Sequence, residues 1–361
     1  MKNAKRIDFR ITLDGKGIVN YDDSEQKWMF KDRKSNNLRH HLDGDYNNNN
    51  YAKKNFYKDS KGDLQYKLKI SNNCLMHEVF KEDSVSQTTE LTYNENIFLH
   101  YLANPSTILR GYLLMEKDKN SFKKKSATAI TDAEDVNFSN SNLEVFSRSG
   151  KKNMEADKKD NTFFYKETTG DIEYKSEGSM NLLELQFNSL SDKFDRMSFN
   201  PDLFPKYKKI LQMQIPNFNS ELGYYILKTS AIKIPELGYL FSSENVVFLV
   251  KEFFTRLCKF NIAKRGGFAR IKELQYRIVT DPIEAIFNPE QGWKTIKSAK
   301  DIDSIQFECD PAYVEENFDQ SIALLKSLED AEIELKKIQE ETQAKKKKAK
   351  EELKAKKKET V

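Results

Sequence analysis

The chain has 361 residues, of which 38% are hydrophobic, 32% charged and 12% aromatic. That is enough to bury one large core or two modest ones, and too aromatic for a disordered chain. The formal charge of +4 is a poor nucleic-acid signal, because Ala344–Val361 holds nine Lys and three Glu and leaves the remainder at −2. Contacts to a polyanion must therefore come from local patches. Three widely spaced cysteines, Cys74, Cys258 and Cys309, give no disulfide framework and fit a reducing compartment. Met1–Arg10 lacks an apolar targeting core and no run approaches a membrane span, so the expected location is cytoplasmic.

In chain order, Ile7–Tyr21 alternates apolar and polar residues up to Gly15-Lys16-Gly17 and then resumes, which predicts a strand with a tight bend. The Asn-rich stretch 22–63 reads as a long excursion. Ile70–Phe80 predicts a helix capped by Ser71 or Asn72, with Leu75, Val79 and Phe80 inward. Ile108–Met115 predicts a buried strand. Phe163–Ser179 predicts a hairpin with its tip at Thr168–Asp171, Met180–Asn188 a further strand, and Gly223–Phe241 a second, more exposed hairpin. Ser242–Asn261 predicts the clearest helix, with Val246, Leu249, Val250, Phe253, Phe254 and Leu257 on one face. Phe268–Val279 predicts the last strand, and a charged helix from about Asp319 runs into the Lys-rich tail. The order is βαββαβ, that of an α+β, ferredoxin-like or RNA-recognition-type domain with a large insertion. The expected divisions are 1–115 (first half of that domain), 116–179 (inserted basic segment and hairpin), 180–280 (second half) and 281–361 (connector and tail).

The nucleotide-binding and hydrolase motifs with fixed spacing are absent from the sequence. Cys74 and His77 have metal-like spacing but no second pair, so packing is the favoured reading and no metal or cofactor is expected. His40 and His41 have the chemistry of a ribonuclease acid–base pair. A solvated loop is the favoured reading, because nothing else that titrates near neutrality is fixed beside them in sequence. Gly15-Lys16-Gly17 fits either a bulge or the close approach of a phosphate with Lys16 as counter-charge. The run Lys123-Lys124-Lys125-Ser126 gains meaning from its company: Arg110-Gly111, Thr168-Thr169, and the basic glycine turn Lys264-Arg265-Gly266-Gly267. Glycines expose backbone N–H groups to phosphate and the adjacent cations supply charge-assisted bonds.

The segments IDFRITLDGKGIVNYD, LKISNNCLMHEVF, ILRGYLL with KKKSATAITDAED, FFYKETTGDIEYKSEGS and NLLELQFNSLSDKFDR, in this order, resemble the crRNA-backbone subunit of type I CRISPR effector complexes (Cascade), in its variant type I-F form, within the RAMP superfamily. The likeness runs from about Arg6 to Arg196 and continues more faintly through the helix at Ser242–Asn261. The resemblance implies a non-catalytic protein that polymerises along crRNA, contacts other Cascade subunits, and leaves guide bases open for pairing with target DNA. It implies a palm that holds the sugar-phosphate backbone and a thumb at Phe163–Ser179 with Lys123–Ser126 at its root. It places phosphate contacts at Arg110, Gly111, Lys264, Arg265 and Gly266, and weaker candidates at Asn20, Arg39 and Asn73. The alternative is an endoribonuclease of the same superfamily, acting through His40 and His41 or through Asp14 with a divalent metal.

Overall fold

The computed structural model describes residues 3–22, 29–31, 38–40, 51–81, 95–115, 121–149, 161–191, 197–220, 222–228, 234–264, 267–310, 313–315 and 337. The first strand, β1 (Arg6–Gly17), leads into five shorter ones: β2 (Tyr21–Asp22), β3 (Met29–Lys31), β4 (Leu38–His40), β5 (Tyr51–Ala52) and β6 (Lys54–Lys58). Next come β7 (Leu64–Ile70) and the helices α1 (Asn72–Phe80), α2 (Glu95–Ala103) and α3 (Pro105–Arg110). Short strands follow: β8 (Tyr112–Met115), β9 (Ser121–Lys124), β10 (Thr128–Ile130) and β11 (Ala133–Asp135). The chain continues through β12 (Asn142–Ser149), β13 (Asn161–Thr168), β14 (Asp171–Asn181), α4 (Leu182–Gln186), β15 (Phe187–Ser189) and α5 (Phe204–Gln214). It then passes β16 (Gly223–Leu227), β17 (Glu236–Leu240), α6 (Ser243–Cys258), β18 (Asn261–Lys264) and β19 (Gly267–Val279). Last are α7 (Pro282–Phe287), β20 (Lys294–Thr295), α8 (Ala299–Asp303) and β21 (Tyr313–Glu315).

The fold is mixed α/β with antiparallel sheets. The main sheet runs β18-β19-β1-β14-β11-β7-β6, with β10 also on β14 and β20 on β19. Strand β1 is central, paired over its length with β14 on one side and β19 on the other. Its period-two pattern decides what each face becomes. Ile7, Phe9, Ile11 and Leu13 are 3% exposed or less, while Arg6, Asp8, Arg10, Thr12, Asp14 and Lys16 point to the opposite face. The apolar face is covered by α6, whose Ser242 Oγ accepts from Asn245 N at 3.2 Å and so starts the helix where its sequence predicts. The Phe9 ring lies 5.1 Å from Phe253 and 6.3 Å from Phe254, edge-on to the latter. A second sheet, β15-β17-β16-β21, carries Tyr239, which donates to Tyr207 Oη of α5 at 3.2 Å. Burial pushes both phenols up.

Several expectations change. Ile108 and Leu109 are buried in a helix rather than a strand, because Asn104 accepts from Ser106 N at 2.8 Å and Pro105 sits in the first turn. The main-sheet partner of β14 opposite β1 is instead β10 and β11. Met180–Asn188 is not one strand: the Asn181 side chain accepts from Leu183 N at 3.0 Å and opens α4, and Phe187–Ser189 joins the second sheet. Phe163–Ser179 is not a hairpin. Its first arm pairs with β12 and its second is β14, in the middle of the main sheet, so a division at 179/180 would cut a strand. The hairpin within 223–241 forms as β16–β17, but Tyr225 and Tyr239 are buried, so it is packed and not exposed. The C-terminal helix expected from Asp319 lies outside the described residues, apart from Lys337. Among the described residues no helix is long and apolar enough to cross a membrane.

Gly178 pairs with Phe9 across β1 and β14, and a Cβ there would overlap the Phe9 ring. Gly178→Ala should cost about 1–3 kcal/mol by overpacking, and Phe9→Ala about 3–5 kcal/mol by leaving a cavity. Denaturant midpoints test both, and a Gly178→Ala protein as stable as the parent would contradict the packing described.

Candidate nucleic-acid interface

The end of the main sheet where β1 finishes is built from backbone. Lys16 pairs with Asp171 of β14 and Phe268 of β19, and Gly17 with Gly267. Gly17 N donates to Gly170 O at 2.9 Å. Gly15 and Gly267 admit no side chain: a Cβ on Gly15 would lie 2.8 Å from Phe268 O, and one on Gly267 would overlap Lys16 O. Gly17 has φ +71°, which favours glycine. The sequence left a bulge or a phosphate approach open for this run. The strand runs through it unbroken, and its glycines let three strands close together beside exposed Lys16 and Lys264.

Helix α1 is tied to the same end. Asn20 is 5% exposed, and its Nδ2 donates to Ser71 Oγ at 3.1 Å while its carbonyl accepts from Lys53 N at 3.1 Å. Asn20 therefore positions the helix rather than facing a ligand. Asn73 is exposed in the first turn. Burial raises the Cys74 thiol pKa, and Lys264 and Lys53 pull it back, which places both ammonium groups within electrostatic reach of this turn. Thr169 Oγ1 donates to Asn140 O at 3.0 Å, so that hydroxyl helps hold the chain entering β14. The structure thus gathers Lys16, Asn73, Thr168, Thr169, Lys264 and Gly267 at one end of the sheet. Phe268, 38% exposed and directly across from Lys16, is an aromatic that sequence reasoning did not single out. Its signal was its place next to the basic glycine turn.

Arg110, Gly111 and Lys123–Ser126 meet at the opposite end. Gly111 ends α3 with φ +72°, and a Cβ on it would lie 2.5 Å from both Lys124 O and Ser126 N. The carbonyl of Thr128, two residues after Ser126, accepts from Ser126 Oγ at 2.7 Å, and Thr128 pairs with Met180 at the far end of β14. Ten residues of β1 separate the ends, roughly 33 Å at strand rise. Within the basic run, Lys125 is exposed and pairs with Glu184 at 3.0 Å. Lys124 turns inward: its Nζ donates to Glu184 O at 3.2 Å, and burial lowers its pKa to about 8. A buried ammonium cannot reach an RNA phosphate, so the structure does not fit Lys124 to the RNA contact expected of it.

The structure does not gather every predicted residue. Arg265, Gly266 and His41 lie outside the described residues, as do the side chains of Arg39, His40 and Phe163. Between the two ends, the polar face of the sheet is laced with ion pairs. Asp8 binds Arg277 at 2.9 Å, Arg10 binds Glu177 at 2.9 Å, Asp14 binds Arg270 at 3.5 Å, and Lys272 binds Glu173. Among the described residues, no three His, Cys, Asp or Glu side chains gather as metal ligands.

The Lys124 assignment has a pH signature. The unfolded chain keeps this proton up to about 10.5, whereas the folded chain releases it near 8, so stability should rise with pH through that window. Lys124→Met should flatten the rise without destabilising the protein at neutral pH. Stability curves that stay parallel across the window would contradict the burial of Lys124.

The sequence family described as type I-Fv CRISPR-associated protein, Cas7fv-like, matches residues 3–282. No curated protein matches the chain. Among solved structures, a chain of a CRISPR RNA-guided surveillance complex is similar at 12% identity and a TM-score of 0.37, over 81% of this chain and 77% of that one. A chain of such a complex in a pre-nicking state is similar at 8% identity and a TM-score of 0.35, over 75% and 77%. Those two likenesses are too faint to bear on function. The match across residues 3–282 is not: the chain belongs to the Cas7fv-like family of type I-Fv CRISPR-associated proteins.

Proposed function

We propose that this protein is a non-catalytic subunit that binds CRISPR guide RNA without regard to sequence, in a surveillance complex built with further copies of itself and other Cascade subunits. The observation that carries the reading is one end of the main sheet, where Lys16, Lys264 and Phe268 are exposed near exposed Gly170. Buried Gly15 and Gly17 and half-buried Gly267 pack the strands closely there without side chains. Such a surface grips phosphate and ribose and leaves base edges untouched. A guide needs this, because its specificity lies in base pairing with target DNA.

The strand order β19-β1-β14-β10/β11, with α1 and α6 between strands in sequence, fits a ferredoxin-like, RNA-recognition-type palm. The thumb in this reading is β12–β13, the hairpin inserted between β11 and β14, which replaces Phe163–Ser179 in that role. Arg110, Lys123 and Lys125 serve as the second phosphate cluster, near the other end of the palm. The endoribonuclease reading gains no support from Asp14, whose carboxylate is engaged by Arg270.

Single-stranded RNAs of unrelated sequence should bind with equal affinity. The Lys16→Ala, Lys264→Ala double variant should weaken all of them alike and lower the salt-dependence slope by roughly 0.7 for each phosphate no longer neutralised. An unchanged slope would remove these lysines from the interface. Cleavage of the RNA by the purified protein would overturn the non-catalytic reading.

A further inference from the structure

The match to the family ends at Pro282, and the next dozen residues cross the polar face of the main sheet. Strand β20 anchors this segment to β19, with Lys294 opposite Tyr276 and Thr295 opposite Gln275. Just before it, the Trp293 ring centroid lies 4.2 Å from the guanidinium carbon of Arg10 and 4.9 Å from that of Arg277. Trp293 Nε1 donates to Pro289 O at 2.8 Å, and Arg277 Nη1 donates to the same carbonyl at 2.8 Å. Glu290 takes Arg10 with both oxygens, from Nη1 at 2.7 Å and from Nη2 at 2.9 Å. Beside this contact a groove of about 490 Å³ opens between sheet and segment. Arg6, Arg10, Thr131, Gly178, Arg277 and Trp293 are among the residues that line it.

The chemistry of this corner is that of a nucleotide held by arginine. A guanidinium grips a carboxylate with the same two-pronged geometry it uses for phosphate. A guanidinium plane also stacks on an indole as it does on a base. Glu290 thus stands where a phosphate would stand, and the indole of Trp293 offers a ring against which a base would stack. The pairs differ in how firmly they are held. Asp8, with its side chain 12% exposed, is buried between Arg277 and Arg6. The two carboxylates on Arg10 are exposed, 68% for Glu177 and 76% for Glu290, so exchanging them for another anion costs little. A small residue at exposed Ala129 leaves room beside the ring.

We propose that this groove is a nucleotide-binding site separate from the two ends of the sheet. It takes one nucleotide of a single-stranded nucleic acid, with the base against Trp293 and the phosphate on Arg10 in place of Glu290. The site does not depend on the guide-binding reading, because none of its residues belongs to the glycine-rich end or to the Arg110–Lys125 cluster.

The chain has two tryptophans, so the Trp28→Phe protein reports Trp293 alone. Its emission is followed on titration with tetranucleotides of RNA and, separately, of DNA. Should that variant fail to fold, the difference between the parent and Trp293→Phe gives the same signal. Quenching by either strand supports the site, and the stronger arm names the strand. Arg10→Ala should weaken binding about tenfold, while Glu290→Gln, which removes the competing carboxylate, should tighten it several-fold. Unaltered emission with both strands, or a Glu290→Gln protein of native circular dichroism that binds no tighter, would overturn the proposal. The Lys16→Ala, Lys264→Ala protein should keep the quench in full. Long-RNA affinity that survives those lysine changes would instead count against the guide-binding reading alone.

Discussion

Strand β1 is paired on both sides for nearly its whole length, and its alternation sets the rest of the molecule. Four apolar side chains go to one face and are sealed by α6, with Phe9 between the rings of Phe253 and Phe254 and in the hollow left by Gly178. Burying each such side chain contributes about 1.5–3 kcal/mol. A one-residue slip would send all of them to the wrong face, so the register is strongly fixed. The same fixing aligns Arg6, Asp8, Arg10, Thr12, Asp14 and Lys16 on the other face, and it ends the strand in Gly15-Lys16-Gly17, where the neighbouring strands also begin in glycine or beside it.

The protein as proposed would bind a polyanion with no excess of positive charge in its folded part, and the two faces of the sheet bear on how. Along the middle of the polar face, arginines and lysines are answered by carboxylates one or two strands away. Those cations contribute little long-range field. At the two ends of the sheet Lys16, Lys264 and Arg110 are exposed, with exposed Gly170 near the first two, while Lys125 is answered by Glu184. Exposed cations sit at the ends, and the middle of the sheet, which would otherwise offer a wide basic surface, is neutralised.

What could be read in the sequence was whatever is decided locally. The six apolar positions of α6 and a cap at Ser242 or Ser243, of which the structure uses Ser242, the three inward residues of α1, the strands β1 and β19, and the pairing of β16 with β17 follow from period, caps and glycines within a short window. The structure departs from the sequence pattern where that pattern allows two partners. Phe163–Ser179 alternates and turns like a hairpin, but whether its arms pair with each other or with β12 and β1 depends on residues far away in the chain. Ile108–Leu109 is apolar enough for a strand, and it is the Asn104-Pro105 start that makes it helical. Asn181 likewise reads as one more strand residue, and only its cap to α4 shows where the strand stops. Among the site residues, the basic and glycine clusters were legible as clusters. The inward turn of Lys124 was not, since it depends on the carbonyl of Glu184 sixty residues away.

The central claim is that the guide lies against the two ends of the main sheet by its phosphates. Photo-crosslinking of 4-thiouridine-substituted RNA to the full-length protein, with the adducts mapped by mass spectrometry, tests it most directly. Adducts should fall in the peptides around Gly15–Gly17 and Lys264–Phe268 and in those around Arg110 and Lys123–Ser126, whatever the RNA sequence. Adducts that avoid both sets, or that move with RNA sequence, would contradict the account.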